Sequence, residues 1–383
     1  MKVLHVFTLA RTSYFFDGQY RYLSEQGYEI FLAAKPEDGV EEFAERNGIK
    51  YFPVDIPRSI SPLAVLKSIS SIRKIIKAEK PDAVFGHTPV GALVAMIAAR
   101  MTGVKNRVYY RHGIIYSTME GLKKSIFIAE EKFVSTLATG IVNVSPSLGA
   151  KCVKDGINGA EKQYVIGKGT CGGIDAQNIF NPERLSAERL DQERTCLGLN
   201  DADIVFGFCG RFCKDKGTPE LIDGFEMFKK RNTGLTARLL LVGSFDERDI
   251  LPEETKKKMQ ESVDIILTGS VNRTAIPYFY RLMDCFVFPS HREGFGMCVI
   301  EASAMEVPIL VSRSHGCVDS IVEHETGEYI ELTPESICAG MELMLDNKLR
   351  IRLGTAGRRK VLEWYDFSVM WPQVAELYRK ILK

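Results

Sequence analysis

At 383 residues, 45% hydrophobic and 26% charged, the chain has the size of two domains and the composition of a soluble globular protein. No apolar run reaches membrane-spanning length, and Met1-Lys2-Val3-Leu4-His5-Val6-Phe7 reads as a strand rather than a signal peptide, so a cytosolic protein is expected. Residues 1–172 hold 23 Lys and Arg against 16 Asp and Glu, a net +7, and the remainder 27 against 33, a net −6, so the first half is expected to face an anionic membrane surface or a phosphorylated acceptor.

Lys2–Thr8 reads as a first strand, a loop through Arg11, Thr12 and Ser13 follows, and a helix is expected near Phe15 to Gln26. Strands at 28–34 and 50–54 flank a helix at 37–48. Residues 62–80 read as an amphipathic helix. Then come a strand at 83–87, a helix at 91–102, a strand at 106–110, a helix at 120–138 and a closing strand at 140–145. A connection at about 165–202, with Gly167, Gly169, Gly172, Gly173 and Pro182, reads as a linker. The pattern then restarts, with strands at 203–209, 238–242, 265–268, 285–288 and 307–311 and helices at 219–231, 254–261, 274–283 and 297–305. The tail from Phe367 to Lys383 reads as a last helix with Trp371, Val374, Leu377, Tyr378 and Ile381 along one face. Alternating strands and helices imply an α/β protein of two doubly wound parallel sheets, residues 1–172 and 173–383.

Two loops carry the chemistry. After the strand at 285–288 comes Ser290-His291-Arg292-Glu293-Gly294-Phe295-Gly296, then the helix opening at Met297 with Glu301 on it, eight residues after Glu293. Strand, glycine loop and helix together aim free N–H groups and the helix dipole at an anion. Two carboxylates beside an anion site suit a ligand with both phosphate and hydroxyl groups, as in a nucleotide sugar. After the strand at 203–209 comes Gly210-Arg211-Phe212-Cys213-Lys214-Asp215-Lys216-Gly217. It places Arg211 and Lys216 at a strand's carboxyl end, where open parallel sheets bind ligands. The nine cysteines are scattered, with no Cys-x-x-Cys pair, so they read as reduced thiols and no metal site is expected.

The Glu293-x7-Glu301 pair enclosing Glu-Gly-Phe-Gly-Met, with the Gly-Arg…Lys-Gly loop, resembles the signature of the retaining glycosyltransferases of family 4. The resemblance covers nearly the whole chain. It implies a GT-B fold of two Rossmann-like domains, the first binding acceptor and the second nucleotide sugar, with a helix at 366–383 crossing back to the first domain. It also implies that Arg211 and Lys216 neutralise the leaving diphosphate, so that no metal cofactor is expected. Glu301 accepts from the ribose hydroxyls and Glu293 faces the donor sugar. Gly294 and the backbone of Phe295, Gly296 and Met297 complete the sugar and phosphate site, and Thr268, Gly269 and Val271 border the base. Tyr110-Arg111-His112-Gly113 resembles the family's His-Gly segment, which places His112 over the donor sugar as a fourth catalytic residue beside Glu293, Arg211 and Lys216.

Asp82-Ala83-Val84-Phe85-Gly86-His87-Thr88-Pro89 and the stretch Lys168 to Phe180 resemble transferases that build bacterial surface polysaccharides. Their implied reaction moves a hexosyl or N-acetylhexosaminyl group from a UDP-sugar to a lipid-diphosphate-linked saccharide at the inner face of the cytoplasmic membrane. Arg11, Ser13, Gln19 and His87 are candidates for acceptor contact. The chain departs from the family at Gly172, where Asn is usual, and at the first loop, which lacks a Gly-Gly pair. The helix at 62–80, with Arg73, Lys67, Lys74 and Lys77 and an apolar face of Leu63, Leu66, Ile69, Ile72, Ile75 and Ile76, either packs on the sheet or lies on anionic lipid. Nucleic acid is not expected as a partner, since no aromatic-basic interleaving is present. Two other readings of the same fold are a nucleotide-sugar 2-epimerase, which would turn over donor alone, and a non-catalytic nucleotide-sugar-binding protein.

Overall fold

The structure, a computed structural model, describes residues 1–58 and 61–382. The chain forms two compact units, one of Met1–Gly173 joined by the chain from Ser368 onward, the other of Ile174–Phe367.

The first unit is built on a seven-stranded sheet of β1 (Lys2–Leu9), β2 (Glu29–Lys35), β3 (Lys50–Pro53), β4 (Ala83–His87), β5 (Asn106–Arg111), β6 (Gly140–Asn143) and β7 (Gln163–Val165). The order is β3-β2-β1-β4-β5-β6-β7 and every pair is parallel. Helices cover both faces, so the central strands are buried almost end to end, with Val3, Leu4, Val6 and Phe7 of β1 fully inside. The chain reverses direction across the sheet between β1 and β4. That reversal opens a crevice at their carboxyl ends.

The second unit repeats the plan with β8 (Ile204–Cys209), β9 (Ala237–Val242), β10 (Ile265–Leu267), β11 (Cys285–Phe288), β12 (Ile309–Ser312) and β13 (Gly327–Ile330), in the order β10-β9-β8-β11-β12-β13, again all parallel. Its reversal lies between β8 and β11.

Several expected elements are corrected. The helix expected from Phe15 spans only Gln19–Glu25, because Ala10–Phe16 winds as a 3-10 helix and Gly18 breaks the run at φ 77°. The strand at β6 does not close the first sheet. The chain continues through a helix at Pro146–Lys154, capped by the Ser145 hydroxyl accepting from the Leu148 N–H, into β7. The expected linker holds a helix at Ala187–Cys196, capped by Ser186 accepting from the Arg189 N–H at 3.3 Å. After β12 come β13 and two further helices, Pro334–Leu343 and Asn347–Trp364.

The helix at Pro62–Glu79 buries Val65, Ile69, Ile72 and Ile76 in the core beneath the first sheet's helices. Packing on the sheet therefore accounts for most of its apolar face. Leu63 and Leu66 at its first turns remain 82% and 62% exposed. The final helix, Phe367–Ile381, belongs to the first unit and buries Met370, Val374, Leu377 and Tyr378. Lys383, the end of the expected tail helix, lies outside the described residues.

Candidate functional site

In the second unit both loops singled out in the sequence leave the strands that flank the reversal. Lys214–Lys216 form one 3-10 turn after β8, and Gly217 follows at φ 67°. A Cβ at Gly217 would lie 1.9 Å from the Pro289 carbonyl oxygen, so only glycine lets the two loops close on each other. Three more contacts stitch them: the His291 N–H donates to the Asp215 carbonyl at 2.9 Å, the Ser290 hydroxyl donates to the same oxygen at 3.2 Å, and Arg292 pairs with the Asp215 carboxylate.

Lys216 and Glu293, 77 residues apart, form an ion pair on this frame, with 17% and 15% of their side chains exposed. Burial alone would lower the lysine's pKa, but the facing carboxylate outweighs it and holds Lys216 above its ordinary value. Glu293 Oε1 lies 3.3 Å from the Ser290 hydroxyl, which can turn to it from the Asp215 carbonyl. Arg211 is more exposed and pairs with Asp246, whose carboxylate accepts from the N–H groups of Arg248 and Asp249 at 2.7 and 3.0 Å. Burial pushes Asp246 up, and those donors with Arg211 bring it below the usual carboxylate range.

Gly296, at φ 79°, starts the helix Met297–Ala304, and no side chain caps that end. Its first-turn N–H groups stand beside the Lys216–Glu293 loop. Glu301 follows about one turn in, as the fifth residue of the helix. Burial pushes its carboxyl up to about 7, against the pull of Arg273 and a hydrogen bond from the Tyr280 hydroxyl at 3.0 Å. Thr268, Gly269 and Val271 follow β10 at the sheet's far edge. Gly269 bridges to Gly243 after β9, and Gly243 packs on the Gly210 carbonyl. The carboxyl ends of β8, β9 and β10 thus form a continuous backbone rim. The structure brings Lys216 and Glu293 together just before the Gly296 helix, and pairs Arg211 with Asp246. The sequence reading missed Asp246 and Tyr280. Tyr280 sits in a recognised helix, but nothing in its spacing marks it as the group that orients Glu301.

The first unit holds its own constellation. His112, at the end of β5, is half-buried. Its Nε2 lies 2.9 Å from His87 Nδ1, His87 Nε2 lies 2.9 Å from His5 Nδ1, and His5 Nε2 lies 2.9 Å from the Tyr378 hydroxyl. His87 is fully buried with both ring nitrogens engaged, so neither is left for an acceptor, which corrects the acceptor role expected for it. Ser13 is likewise buried, its hydroxyl donating to the Ala10 carbonyl at 2.7 Å. Arg11 pairs at the surface with Glu37. Gln19 is 1% exposed and its amide has no partner among the described residues. Arg111 is a buried anchor, bound to Glu131, Ser135, Asn143 and Asn158.

A cavity of about 440 Å³ opens at the carboxyl ends of β1 and β4, lined by Leu9, Thr12, Thr88, Pro89, Phe127 and Glu130 among others. Burial, and then the neighbouring Glu131, push the Glu130 carboxyl up to about 7. Away from both crevices, Glu323, His324 and Glu328 bring three ligand atoms within 4.8 Å of one another on a partly exposed turn.

Burial lowers His5 to about 3 and His112 to about 4, and drives His87 well below its ordinary value. The side chains against them include Phe7, Phe16, Tyr20, Phe85 and Tyr110, and none supplies a negative charge at neutral pH. All three are neutral in the folded protein and protonate on unfolding below about pH 6.5. Folding stability is therefore retained above pH 6.5 and lost as pH falls from there toward 4, by up to about 1.4 kcal/mol per pH unit for each histidine. Urea denaturation at pH 7.5 and 5.0 is expected to show a marked fall in the midpoint. Equal midpoints would mean that the histidines are solvated.

Residues 191–360 match the family of glycosyl transferases group 1, and residues 2–144 match the glycosyl transferase 4-like family. The chain is 31% identical to the capsular polysaccharide biosynthesis glycosyltransferase CapM of Staphylococcus aureus, an alignment covering 100% of this chain and 98% of the relative. It is 24% identical to an Escherichia coli UDP-Gal:alpha-D-GlcNAc-diphosphoundecaprenol alpha-1,3-galactosyltransferase, over 94% and 91% of the two chains. Among solved structures, Anabaena HepE in complex with UDP and glucose superposes with a TM-score of 0.81 at 16% identity, over 99% and 100% of the chains, which shows the shared GT-B fold. With two parallel, doubly wound units and a match to CapM along its whole length, the chain belongs to the group 1 glycosyltransferases and is a sugar-transferring enzyme of the GT-B fold.

Proposed function

We propose that the enzyme transfers a hexosyl or N-acetylhexosaminyl group from a UDP-sugar to a lipid-diphosphate-linked saccharide during synthesis of a surface polysaccharide, with retention at the anomeric carbon. The observation that carries this reading is the Lys216–Glu293 pair at the β8/β11 reversal, beside a helix start and with Glu301 about one turn into that helix. A diphosphate takes the hydrogen bonds of Lys216 and draws Arg211 from Asp246, and Glu293 is then free to accept from sugar hydroxyls. Glu301, oriented by Tyr280, accepts from the ribose. Charge that grows on the leaving diphosphate meets fixed cations, so no metal ion enters the mechanism. Retention is what the family resemblance implies, and front-side attack lets the leaving phosphate take the acceptor's proton.

The E. coli relative's name supports a UDP-sugar and a diphosphoundecaprenol acceptor, and the HepE complex supports UDP. The cavity at β1 and β4 offers an acceptor a largely apolar wall. Exposed Leu63 and Leu66, with Leu122 and Ile126 on the helix Gly121–Leu137 among basic neighbours, suit peripheral contact with anionic lipid at the inner membrane face.

Calorimetric titration tests the donor half directly. UDP is expected to bind at micromolar concentration, more tightly than GDP or ADP, and Glu301→Ala is expected to weaken it about 10-fold or more. Absence of binding by all three nucleotides would reject the reading. Turnover of UDP-sugar without acceptor would favour the epimerase.

A further inference from the structure

The four groups that join His112 to the last helix form an unbroken hydrogen-bonded line: Tyr378 hydroxyl, His5, His87 and His112, each step 2.9 Å. All four belong to the first unit. His5 and His87 are 0% exposed and Tyr378 1%, so water does not complete their hydrogen bonds. Phe7 stacks on His87 with ring centroids 3.9 Å apart, and Tyr110 stacks on its other neighbour His112 at 5.2 Å, which fixes the ring planes.

The line has only two self-consistent polarities, because each neutral imidazole carries one N–H. In one, Tyr378 donates to His5 Nε2, His5 Nδ1–H donates to His87 Nε2, and His87 Nδ1–H donates to His112 Nε2. The proton of His112 must then sit on Nδ1. In the other, every bond reverses and His112 carries its proton on Nε2. The second leaves the Tyr378 hydroxyl hydrogen inside the protein with no acceptor among the described residues. A stranded buried donor disfavours that polarity by roughly 10-fold or more. The tyrosine at one end therefore decides the tautomer at the other.

We propose that Tyr378, acting through His5 and His87, holds His112 as its Nδ1–H tautomer, so that His112 meets the reacting sugar as a neutral hydrogen-bond donor and not as a general base. Tyr378, His5 and His87 are positioning residues in this assignment. The catalytic meaning rests on the reading of His112 at the donor sugar given above, whereas the tautomer does not.

The test uses the resting full-length enzyme without substrate, labelled with 15N-histidine. Six histidines make the two-bond ring spectrum tractable, and single His→Gln variants assign it. His5, His87 and His112 are expected as Nδ1–H tautomers, about nine-tenths or more populated, and neutral at pH 7. In Tyr378→Phe, which keeps the ring and removes the hydroxyl, His112 is expected to shift toward an even mixture, and kcat to fall several-fold while donor KM stays within two-fold. An Nε2–H tautomer at His112 in the wild type would overturn the proposal, as would an unchanged tautomer in a Tyr378→Phe protein with a native thermal melt. Should that variant fail to fold, the wild-type spectrum decides alone. If the enzyme proved not to use His112 on a sugar, the tautomers would still be read, so the two failures are separable.

Discussion

Lys216→Ala is expected to lower kcat/KM for the nucleotide sugar by roughly 100- to 1,000-fold, the loss typical of removing one fixed electrostatic group from a site where charge develops. Two effects add. The ammonium that would face the leaving diphosphate is gone, and Glu293 is left as an uncompensated carboxylate beside the proposed phosphate position. The second effect also weakens the fold, by on the order of 2 kcal/mol, less than for a fully buried pair because both side chains keep some exposure. A Lys216→Ala, Glu293→Gln double variant separates them, since it is expected to recover the melting temperature and not the activity. Lys216→Arg keeps the charge but presents a bulkier planar fork to Glu293 in place of a compact ammonium, and is expected to fall between wild type and alanine. Steady-state kinetics and thermal melts of the three proteins check this. Near-wild-type turnover by Lys216→Ala would remove the phosphate assignment.

His112→Ala is expected to reduce kcat by roughly 10- to 100-fold and to leave UDP affinity within two-fold. A hydrogen bond made to the reacting sugar, and strengthened as charge develops there, contributes to the transition state more than to nucleotide binding. The nucleotide's own contacts are assigned to Arg211, Lys216 and Glu301, all in the other unit. Calorimetry for UDP and initial rates for turnover measure the two quantities separately. An unchanged rate would return His112 to a purely structural place at the end of its histidine line.

The strands of both sheets were legible because buried parallel strands read as continuous apolar runs. Ile30-Phe31-Leu32-Ala33-Ala34 and Cys285-Phe286-Val287-Phe288 are such runs. The short edge strands β7 and β13 were not, since Gln163-Tyr164-Val165 is half-buried throughout, Glu328 and Tyr329 are half-buried, and both strands mix polar with apolar residues. The helix at Ala187–Cys196 escaped because it buries no residue, so it has no apolar stripe to read, and its one local signal is the cap at Ser186. At the site, glycines and charges adjacent in sequence marked Arg211, Lys216, Glu293 and Glu301. The groups that hold them come from distant segments. Asp246 meets Arg211 across 35 residues, Tyr280 meets Glu301 across 21, and Tyr378 reaches His5 across 373. Such partners belong to the folded topology. His87 shows the opposite error, a motif residue taken for a ligand contact that the fold encloses completely.

In the proposed reaction the Lys216, Glu293 and Glu301 constellation moves a sugar from a nucleotide donor to a lipid-linked acceptor. The most direct measurement is UDP release from a panel of UDP-sugars, with and without a lipid-diphosphate-linked saccharide extract, for wild type and Glu301→Ala. Release from one sugar that requires the extract, with that sugar recovered in the lipid fraction and both lost in the variant, is the predicted result. Release that is independent of acceptor, or equal in wild type and Glu301→Ala, would contradict it.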